Sequence, residues 1–253
     1  MLRPQRRMKL TNSMQTLFGF DNLPNITHAV ATVGSYDGVH SGHKVLIEQV
    51  ISRAKIRGGE SVVITFEPHP RITLGQDEGL KLLSIAEEKA ILLEQLGVDY
   101  MLIIPFDIEF SRLSPEQFVA DYLIAKVGVE EIVIGYNHHF GYNKSGDYDF
   151  LATHNIDVTR IDKQLVENSK VSSTIIRATI ESGDMARAAQ LLGHTYIIIG
   201  DSDANGFVAT SKYKLLPPPA EYDALVNGGV QRVTIAQNGV YCNVAEQKIV
   251  ISL

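Results

Sequence analysis

His40 and His43 flank Ser41 and Gly42 in the stretch TVGSYDGVHSGHKVLIEQV, residues 32–50. Ring N–H groups three residues apart can converge on phosphate oxygens, and Gly42 lets such a group come close to the backbone. An apolar run precedes the stretch and an amphipathic run follows it, so it reads as strand, turn and helix start. That setting is an anion site in its own right, because free backbone N–H groups and the helix dipole both favour negative charge. Two arbitrary histidines would more often be half-buried surface residues, with His40 ending a turn and Ser41 capping a helix. Here spacing, glycine and position coincide, which favours phosphate. Gly34, Tyr36 and Asp37 belong to the same turn as candidate ligand contacts, with Asp37 expected to cap the turn and not to hold a metal.

Three further segments have side chains suited to the same kind of ligand. In SKVSSTIIR, 169–177, Ser172 or Ser173 would cap a helix and Thr174 would lie in its first turn. Arg177, three residues on from Thr174, shares roughly its face. That makes a second phosphate-binding helix start, with hydroxyls and a guanidinium. In TFEPHPRITL, 65–74, Pro68 and Pro70 make a rigid loop around His69 with Phe66 beneath, a preformed wall for a flat ligand. In IGYNHHFGYNKSGD, 134–147, Asn137 is placed to hydrogen-bond a nucleotide and Phe140 to pack on a ring. Adjacent histidines on a loop seldom converge on one ion, so His138 and His139 are read as no metal site. Taken singly, each segment also has a plain reading: a capped helix with a solvated arginine, a proline turn, a polar loop.

The elements that must position these residues alternate. HAVATVG (28–34), SVVITF (61–66), DYMLIIPF (99–106), EEIVIGY (130–136) and IDVTRID (156–162) read as strands. The continuous β-branched runs suit strands buried on both faces. Between them, KVLIEQVISRAK (44–55) has a helical apolar stripe. SIAEEKAILLEQLG (84–97) has a capping box of Ser84 and Glu87 and a closing glycine, and SPEQFVADYLIAKVG (114–128) has Pro115 at its first helical position. SSTIIRATIESGD (172–184) and MARAAQLLG (185–193) are two more helices. Short links between alternating strands and helices predict a parallel sheet covered on both faces, with ligands outside the carboxyl ends of its strands. After Gly193 the texture changes to the short β-like runs TYIIIGD, GFVATSKYKLL, VQRVTIA, GVYCNV and KIVISL, broken by Gly, Asn and a triple proline at 217–219.

The chain of 253 residues is 45% hydrophobic and 21% charged with a net charge of −6, the balance of a globular protein without a basic field for nucleic acid. No run of apolar residues is long enough for a membrane span, and one cysteine, Cys242, cannot form an internal disulfide. These features predict a cytoplasmic protein with no nucleic-acid or membrane partner. The basic start MLRPQRRMK is read as a ragged beginning, with internal starts at Met8 or Met14 as alternatives.

H-x-G-H after a first strand is the signature of the nucleotidyltransferases, the superfamily that also holds the class I aminoacyl-tRNA synthetases. GSYDGVHSGH, TFEPHP, GYNHHFG and SSTIIR together, in that order, resemble the FAD synthetase family, the bacterial bifunctional riboflavin kinase/FMN adenylyltransferases. The resemblance covers about 28–194. Tyr36 and His138 depart from it, each standing where the family usually has Phe. It implies an α/β fold, a Rossmann-like nucleotidyltransferase domain with a parallel sheet over 28–194, after an N-terminal segment 1–27; the short β-like runs that follow read as a small all-β module over 195–253. The reaction implied is ATP plus FMN giving FAD and pyrophosphate, with Mg²⁺ accompanying ATP. His40, His43, Asn137, Ser173, Thr174 and Arg177 would then grip phosphates and nucleotide. Gly34, Tyr36, Asp37, Gly42, Phe66, Pro68, His69, Pro70 and Phe140 would contact substrate. The family's kinase barrel carries a G-R-x-L-G-x-P-T-A-N stretch that the corresponding residues 200–219 lack, so the module reads as a barrel remnant without riboflavin kinase activity. A non-catalytic nucleotide-binding or flavin-binding paralogue, or a nucleotidyltransferase for another acceptor, are the competing readings.

Overall fold

The apolar runs of the first two thirds of the chain assemble into one parallel sheet. The computed structural model describes residues 13–161, 171–245 and 247–253. The basic start and Met8 lie outside the described residues, as do Ser169 and Lys170 of the SKVSSTIIR segment. The strands are β1 Gln15–Phe18, β2 Ala29–Val33, β3 Ser61–Glu67, β4 Tyr100–Pro105, β5 Val129–Gly135 and β6 Asp157–Ile161, in the order β1-β4-β3-β2-β5-β6. Every neighbouring pair is parallel. Every residue of β2 is buried, as its run of small and β-branched residues predicts. β1 was not foreseen, and it brings part of the 1–27 segment into the sheet. Most of its four residues face solvent, so it carries no alternation to read; its register is set by the open edge of β4.

Helices cover both faces. They are α1 Ser41–Arg57, α2 Pro70–Thr73, α3 Ala86–Leu96, α4 Pro115–Gln117 running on into a π-helical Phe118–Val127, α5 Tyr148–Ala152, α6 Ser173–Glu181 and α7 Met185–Leu192. Ile47 and Ile51 of α1, with Leu92 and Leu93 of α3, pack on Val63, Met101 and Ile103. The opposite face carries Phe118, Leu123 and Val127 of α4 and Leu151 of α5, packed on Ala31, Ile64, Leu102 and Ile132.

Two helix starts differ from the sequence reading. α1 is capped by His40, whose side chain accepts from His43 N; Ser41 is inside the helix and donates its hydroxyl to Leu191 O at 2.9 Å. α3 is capped through Glu88, which accepts from Ile85 N at 2.9 Å, so Ser84 and Glu87 form no box. Ser84 Oγ is taken instead by Gly38 N at 2.8 Å, and Glu87 lies on the surface against Lys248. In both cases a contact distant in sequence takes the hydroxyl that a local cap would have used.

The C-terminal strands β7 Ile197–Asp201, β8 Phe207–Ala209, β9 Glu221–Val226, β10 Gly229–Ala236, β11 Gly239–Tyr241 and β12 Lys248–Ser252 form an antiparallel sheet in the order β7-β12-β9-β10-β11-β8. A bridge between Ser202 and Val208 draws its two outer strands together, so the sheet is nearly a closed barrel. β9 was missed because it follows the prolines and alternates only at its end. The expected strand beyond Ala209 is instead a crossing segment, in which Tyr213 O accepts from Leu82 N and Leu215 N donates to Leu82 O.

Sixty residues of strand can bury little by themselves. This module's core is shared: Ile198, Val208, Val233 and Ile249 pack with Leu83 and with Ile176, Ile180, Ala188 and Leu192 of α6 and α7. A divide at 194/195 therefore cuts through one hydrophobic cluster. An ion pair spans the same join. Lys214 Nζ, almost wholly buried, donates to Glu88 Oε2 at 2.7 Å, to Leu83 O at 2.8 Å and to Ile197 O at 2.7 Å. Glu88 Oε1 accepts from Ile199 N at 3.1 Å. All three ammonium protons and both carboxylate oxygens are used, which is what makes such a pair tolerable inside a protein. Lys214→Met leaves the Glu88 carboxylate buried without its cation and is expected to cost about 3–5 kcal/mol in urea unfolding. Adding Glu88→Gln to that variant should recover much of the loss; equal stability of wild type and Lys214→Met would show the pair to be idle.

Candidate active site

In the sheet order, the chain moves outward from β2 through β3 and β4, then returns to place β5 and β6 on β2's other side. The switch point lies between β2 and β5, where two loops diverge and leave a crevice at the carboxyl ends. A cavity of about 420 Å³ sits there, lined from the β2 side by Gly34, Ser35, Tyr36, His40, Gly42 and His43. From the β5 side it is lined by Asn137, His138, His139 and Lys144, with Val171 from the approach to α6. A larger lobe of about 880 Å³ adjoins it. Phe66, His69, Pro70, Phe106, Phe110 and Phe140 line that lobe. Val33, Gly34, Ser35, His138, His139 and Lys144 border both.

The turn after β2 is built under tight steric control. A Cβ on Gly34 would stand 3.1 Å from the Tyr36 ring, so only glycine fits without moving it. Gly38 has φ +81, and a Cβ there would meet Leu83 at 2.9 Å. Tyr36 is buried at φ 45, and its hydroxyl pairs with Thr32 Oγ1 at 2.6 Å. The hydroxyl that distinguishes Tyr36 from the Phe of the resemblance is thus tied back to the strand, and burial raises its pKa far above the usual phenol range. Its ring edge meets His43, whose own ring stacks on His40 with centroids 3.7 Å apart and planes 16° apart.

Stacked imidazoles cannot both carry charge comfortably. Burial, more than any neighbour, pushes the His40 pKa down to about 4, against the pull of Asp37. His43 is driven well below the ordinary range by burial, then by His40 and Lys89. Both are neutral at pH 7. His40 Nδ1 accepts from His43 N at 3.4 Å, which leaves the ring proton on Nε2. His43 Nδ1 and His138 Nε2 are buried without a hydrogen-bond partner among the described residues. Such orphans at a cavity wall fit a ligand that brings donors or acceptors of its own.

Asp37 holds the turn from below. Its Oδ1 accepts from Leu83 N at 2.8 Å and Ser84 N at 3.0 Å, and its Oδ2 pairs with Arg177 Nη2. Arg177 Nε also donates to Lys81 O at 2.6 Å. Ser172 caps α6, accepting from Ile175 N, and Ser173 Oγ reaches Asp37 O at 3.4 Å, while Thr174 is exposed.

The structure therefore brings together most, not all, of the expected residues. Gly34, Tyr36, His40, Gly42, His43 and Asn137 line the small lobe; Phe66, His69, Pro70 and Phe140 line the large one, with Gly34 between. Asp37, Pro68, Ser173, Thr174 and Arg177 line neither. The expected rigid proline loop is partly helical, since Pro70 opens α2 and His69 caps it. Phe140 packs edge-on against Phe150 and beside Phe118 and His138. Sequence reasoning passed over Ser35, His138, His139 and Lys144 as lining residues. It also missed Lys89, which sits mid-pattern in a helix and gives no local signal.

A sequence profile of the FAD synthetase family matches residues 23–175. The bifunctional riboflavin kinase/FMN adenylyltransferase of Listeria monocytogenes is 39% identical over 175 residues, covering 68% of this chain and 55% of its own. This chain thus spans little more than half of that relative. A second Listeria monocytogenes protein, named FAD synthetase, is 32% identical over 211 residues, covering 81% of this chain and 84% of its own. The crystal structure of a protein titled macrolide-efflux protein from Streptococcus pneumoniae superposes with a TM-score of 0.79 at 21% identity, covering 94% of this chain and 98% of that one. That likeness speaks for the two-part fold alone. With the profile spanning the switch-point crevice and its histidines, the chain belongs to the FAD synthetase family.

Proposed function

We propose that this chain transfers the adenylyl group of ATP to FMN, forming FAD and releasing pyrophosphate. The observation that carries this reading is the pair of adjoining lobes at the switch point. One is small and lined by neutral imidazoles and glycine backbone, suited to phosphates. The other is larger and walled by phenylalanines, suited to an isoalloxazine ring. The shared border at Gly34 and Ser35 is where the two substrates' phosphates would meet.

The nucleophile is an oxygen of the FMN phosphate, already anionic, so no side chain has to attack or to take a proton. That oxygen forms a bond to the α-phosphorus of ATP as the bond to the bridging oxygen of pyrophosphate breaks. The protein's part is alignment and charge stabilisation. His40 and His43 would donate ring N–H groups to the triphosphate, and the N-terminus of α1 would add backbone donors. Asn137 would hydrogen-bond the nucleotide. Ser173, Thr174 and Arg177 would act from behind the turn, with Arg177 steadying Asp37 and so the histidines. Among the described residues no three His, Cys, Asp or Glu side chains are grouped to hold a metal ion. Mg²⁺ would arrive with ATP, on phosphate oxygens and water. No described helix is long and apolar enough to cross a membrane. Dependence on ATP and FMN would suit a place in the cytoplasm.

The same chain is read as lacking riboflavin kinase activity. The segment corresponding to the missing P-T-A-N signature is committed elsewhere: Lys214 is bound to Glu88, and Leu215 and Tyr213 are paired with Leu82.

Incubation with ATP, FMN and Mg²⁺ should yield FAD and pyrophosphate, while CTP or pantetheine phosphate should not replace a substrate. A folded chain that binds ATP but makes no FAD by chromatography would sink the reading and favour a non-catalytic paralogue. Riboflavin with ATP should give no FMN; a rate near that of FAD synthesis would refute the monofunctional reading.

His43→Ala should lower kcat by roughly 10²–10³, the usual effect of losing one preorganised donor. His69→Ala should instead raise KM for FMN. A His43→Ala enzyme with wild-type kcat would return the histidines to a structural role.

The neutral state of His40 also predicts a pH dependence of stability. Its folded pKa of about 4 lies below the unfolded 6.5, so the unfolded chain takes up the proton first as pH falls. Stability is full above pH 6.5 and should fall by about 2 kcal/mol from this group between pH 7 and pH 5. His40→Gln should flatten that slope in urea unfolding at the two pH values, and an unchanged slope would exclude His40 as its source.

A further inference from the structure

Lys89 is nearly fully buried in the fourth position of α3. Its Nζ donates to Ser35 O at 2.7 Å and to Thr65 Oγ1 at 3.1 Å. No carboxylate among the described residues forms an ion pair with it. The nearest helix neighbour that could, Glu88, points the other way, to Lys214. Burial lowers the Lys89 pKa; Asp37 and Glu67 oppose that from electrostatic range only, and Asp37 is already engaged by Arg177. A buried ammonium without an anion costs stability. Its place near the positive end of a helix adds to that cost. Among the described residues, two hydrogen bonds to neutral oxygens are what offsets that cost.

The side chain lies behind the wall at Gly34 and Ser35 that both lobes share, and it lines neither of them. We propose that Lys89 is a positioning residue for the phosphate site: it pins the Ser35 carbonyl at the junction of the lobes and supplies, from behind that wall, the fixed positive charge that bound phosphate groups balance. The inference rests on the adenylyl-transfer reading and deepens it. It gives the site a cation in addition to Lys144 and Arg177, behind the wall where the acceptor phosphate and the triphosphate would come together. Its reach extends to the other titratable groups facing it. Burial first lowers the pKa of His43 and of His69, and Lys89 adds to that; burial raises the pKa of Glu67, and Lys89 opposes it. The bond it makes to Ser35 O is partly duplicated by Thr65 Oγ1, which donates to the same carbonyl at 3.3 Å. That leaves the charge as the property the position specifically supplies.

The test uses the full chain with Lys89→Met, Lys89→Gln and Lys89→Arg, read by thermal unfolding, by calorimetric titration with pyrophosphate and with ATP, and by steady-state FAD synthesis. Removing a costly buried charge should hold or raise Tm in Lys89→Met while pyrophosphate affinity falls about tenfold. In the same variant kcat should fall by more than KM for FMN rises. Lys89→Gln, which can still hydrogen-bond Ser35 O, should bind pyrophosphate as weakly as Lys89→Met, and Lys89→Arg should regain part of the affinity. Wild-type pyrophosphate affinity in either neutral variant would overturn the proposal, as would loss of folding in both, which would make Lys89 a structural residue. A wild-type chain that binds pyrophosphate but makes no FAD would defeat the functional reading and leave the Lys89 comparison intact.

Discussion

One buried carboxylate holds the crevice in shape. Asp37 accepts from the start of the α3 segment with one oxygen and from Arg177 of α6 with the other. Three stretches far apart in sequence are thereby fixed around the turn after β2. The turn has little of its own to hold it, since it includes left-handed residues at Tyr36, Gly38 and Val39. Each such residue other than glycine costs energy that surrounding contacts must offset. Here the offset is concentrated in Asp37, in Ser84 Oγ on Gly38 N, and in His194 Nε2 against Gly38 O at 2.9 Å. Strain and stabilisation meet at the same few atoms, and those atoms present the histidines.

Helix α3 extends that constraint in two directions through neighbouring residues. Glu88 reaches the C-terminal module through Lys214 and Ile199, and Lys89 reaches the wall of the crevice through Ser35. Consecutive helix positions diverge by about 100°, so adjacent residues of opposite charge serve opposite sides. The C-terminal strands are therefore part of the scaffold of the crevice. They share a core with α6 and α7, and α7 in turn holds Ser41 through Leu191 O. The small module shares its core with the first domain and braces it in return.

The electrostatic design follows from the same burial. Histidines stacked in a largely buried wall are neutral at pH 7, so in the proposed reaction they would act as dipolar donors toward phosphates, without a full charge. Two charged groups, Arg177 and Lys89, stand one layer back and donate to backbone carbonyls. Fixed groups need little reorganisation when charge shifts on a ligand, which is how such sites favour a transition state.

Patterns of short range were legible in the chain as text. The buried strands of the parallel sheet, the helices between them, the change of texture after Gly193 and the glycine turn that carries His40 and His43 all follow from periodicity, β-branching and glycine spacing. Each depends on neighbours a few residues away. Edge strands β1 and β9 did not follow, because their pairing is dictated by the strand beside them. The caps of α1 and α3 were misplaced for a related reason: Ser41 and Ser84 spend their hydroxyls on Leu191 O and Gly38 N, partners about 150 and 46 residues distant. Asp37 as the hub, Arg177 turned beneath the turn and not lining a lobe, Lys89 behind the wall and Lys214 across the join are likewise decisions of tertiary structure. Which carboxylate meets which cation inside a protein depends on where desolvation leaves no water to answer it, and one-dimensional spacing does not encode that.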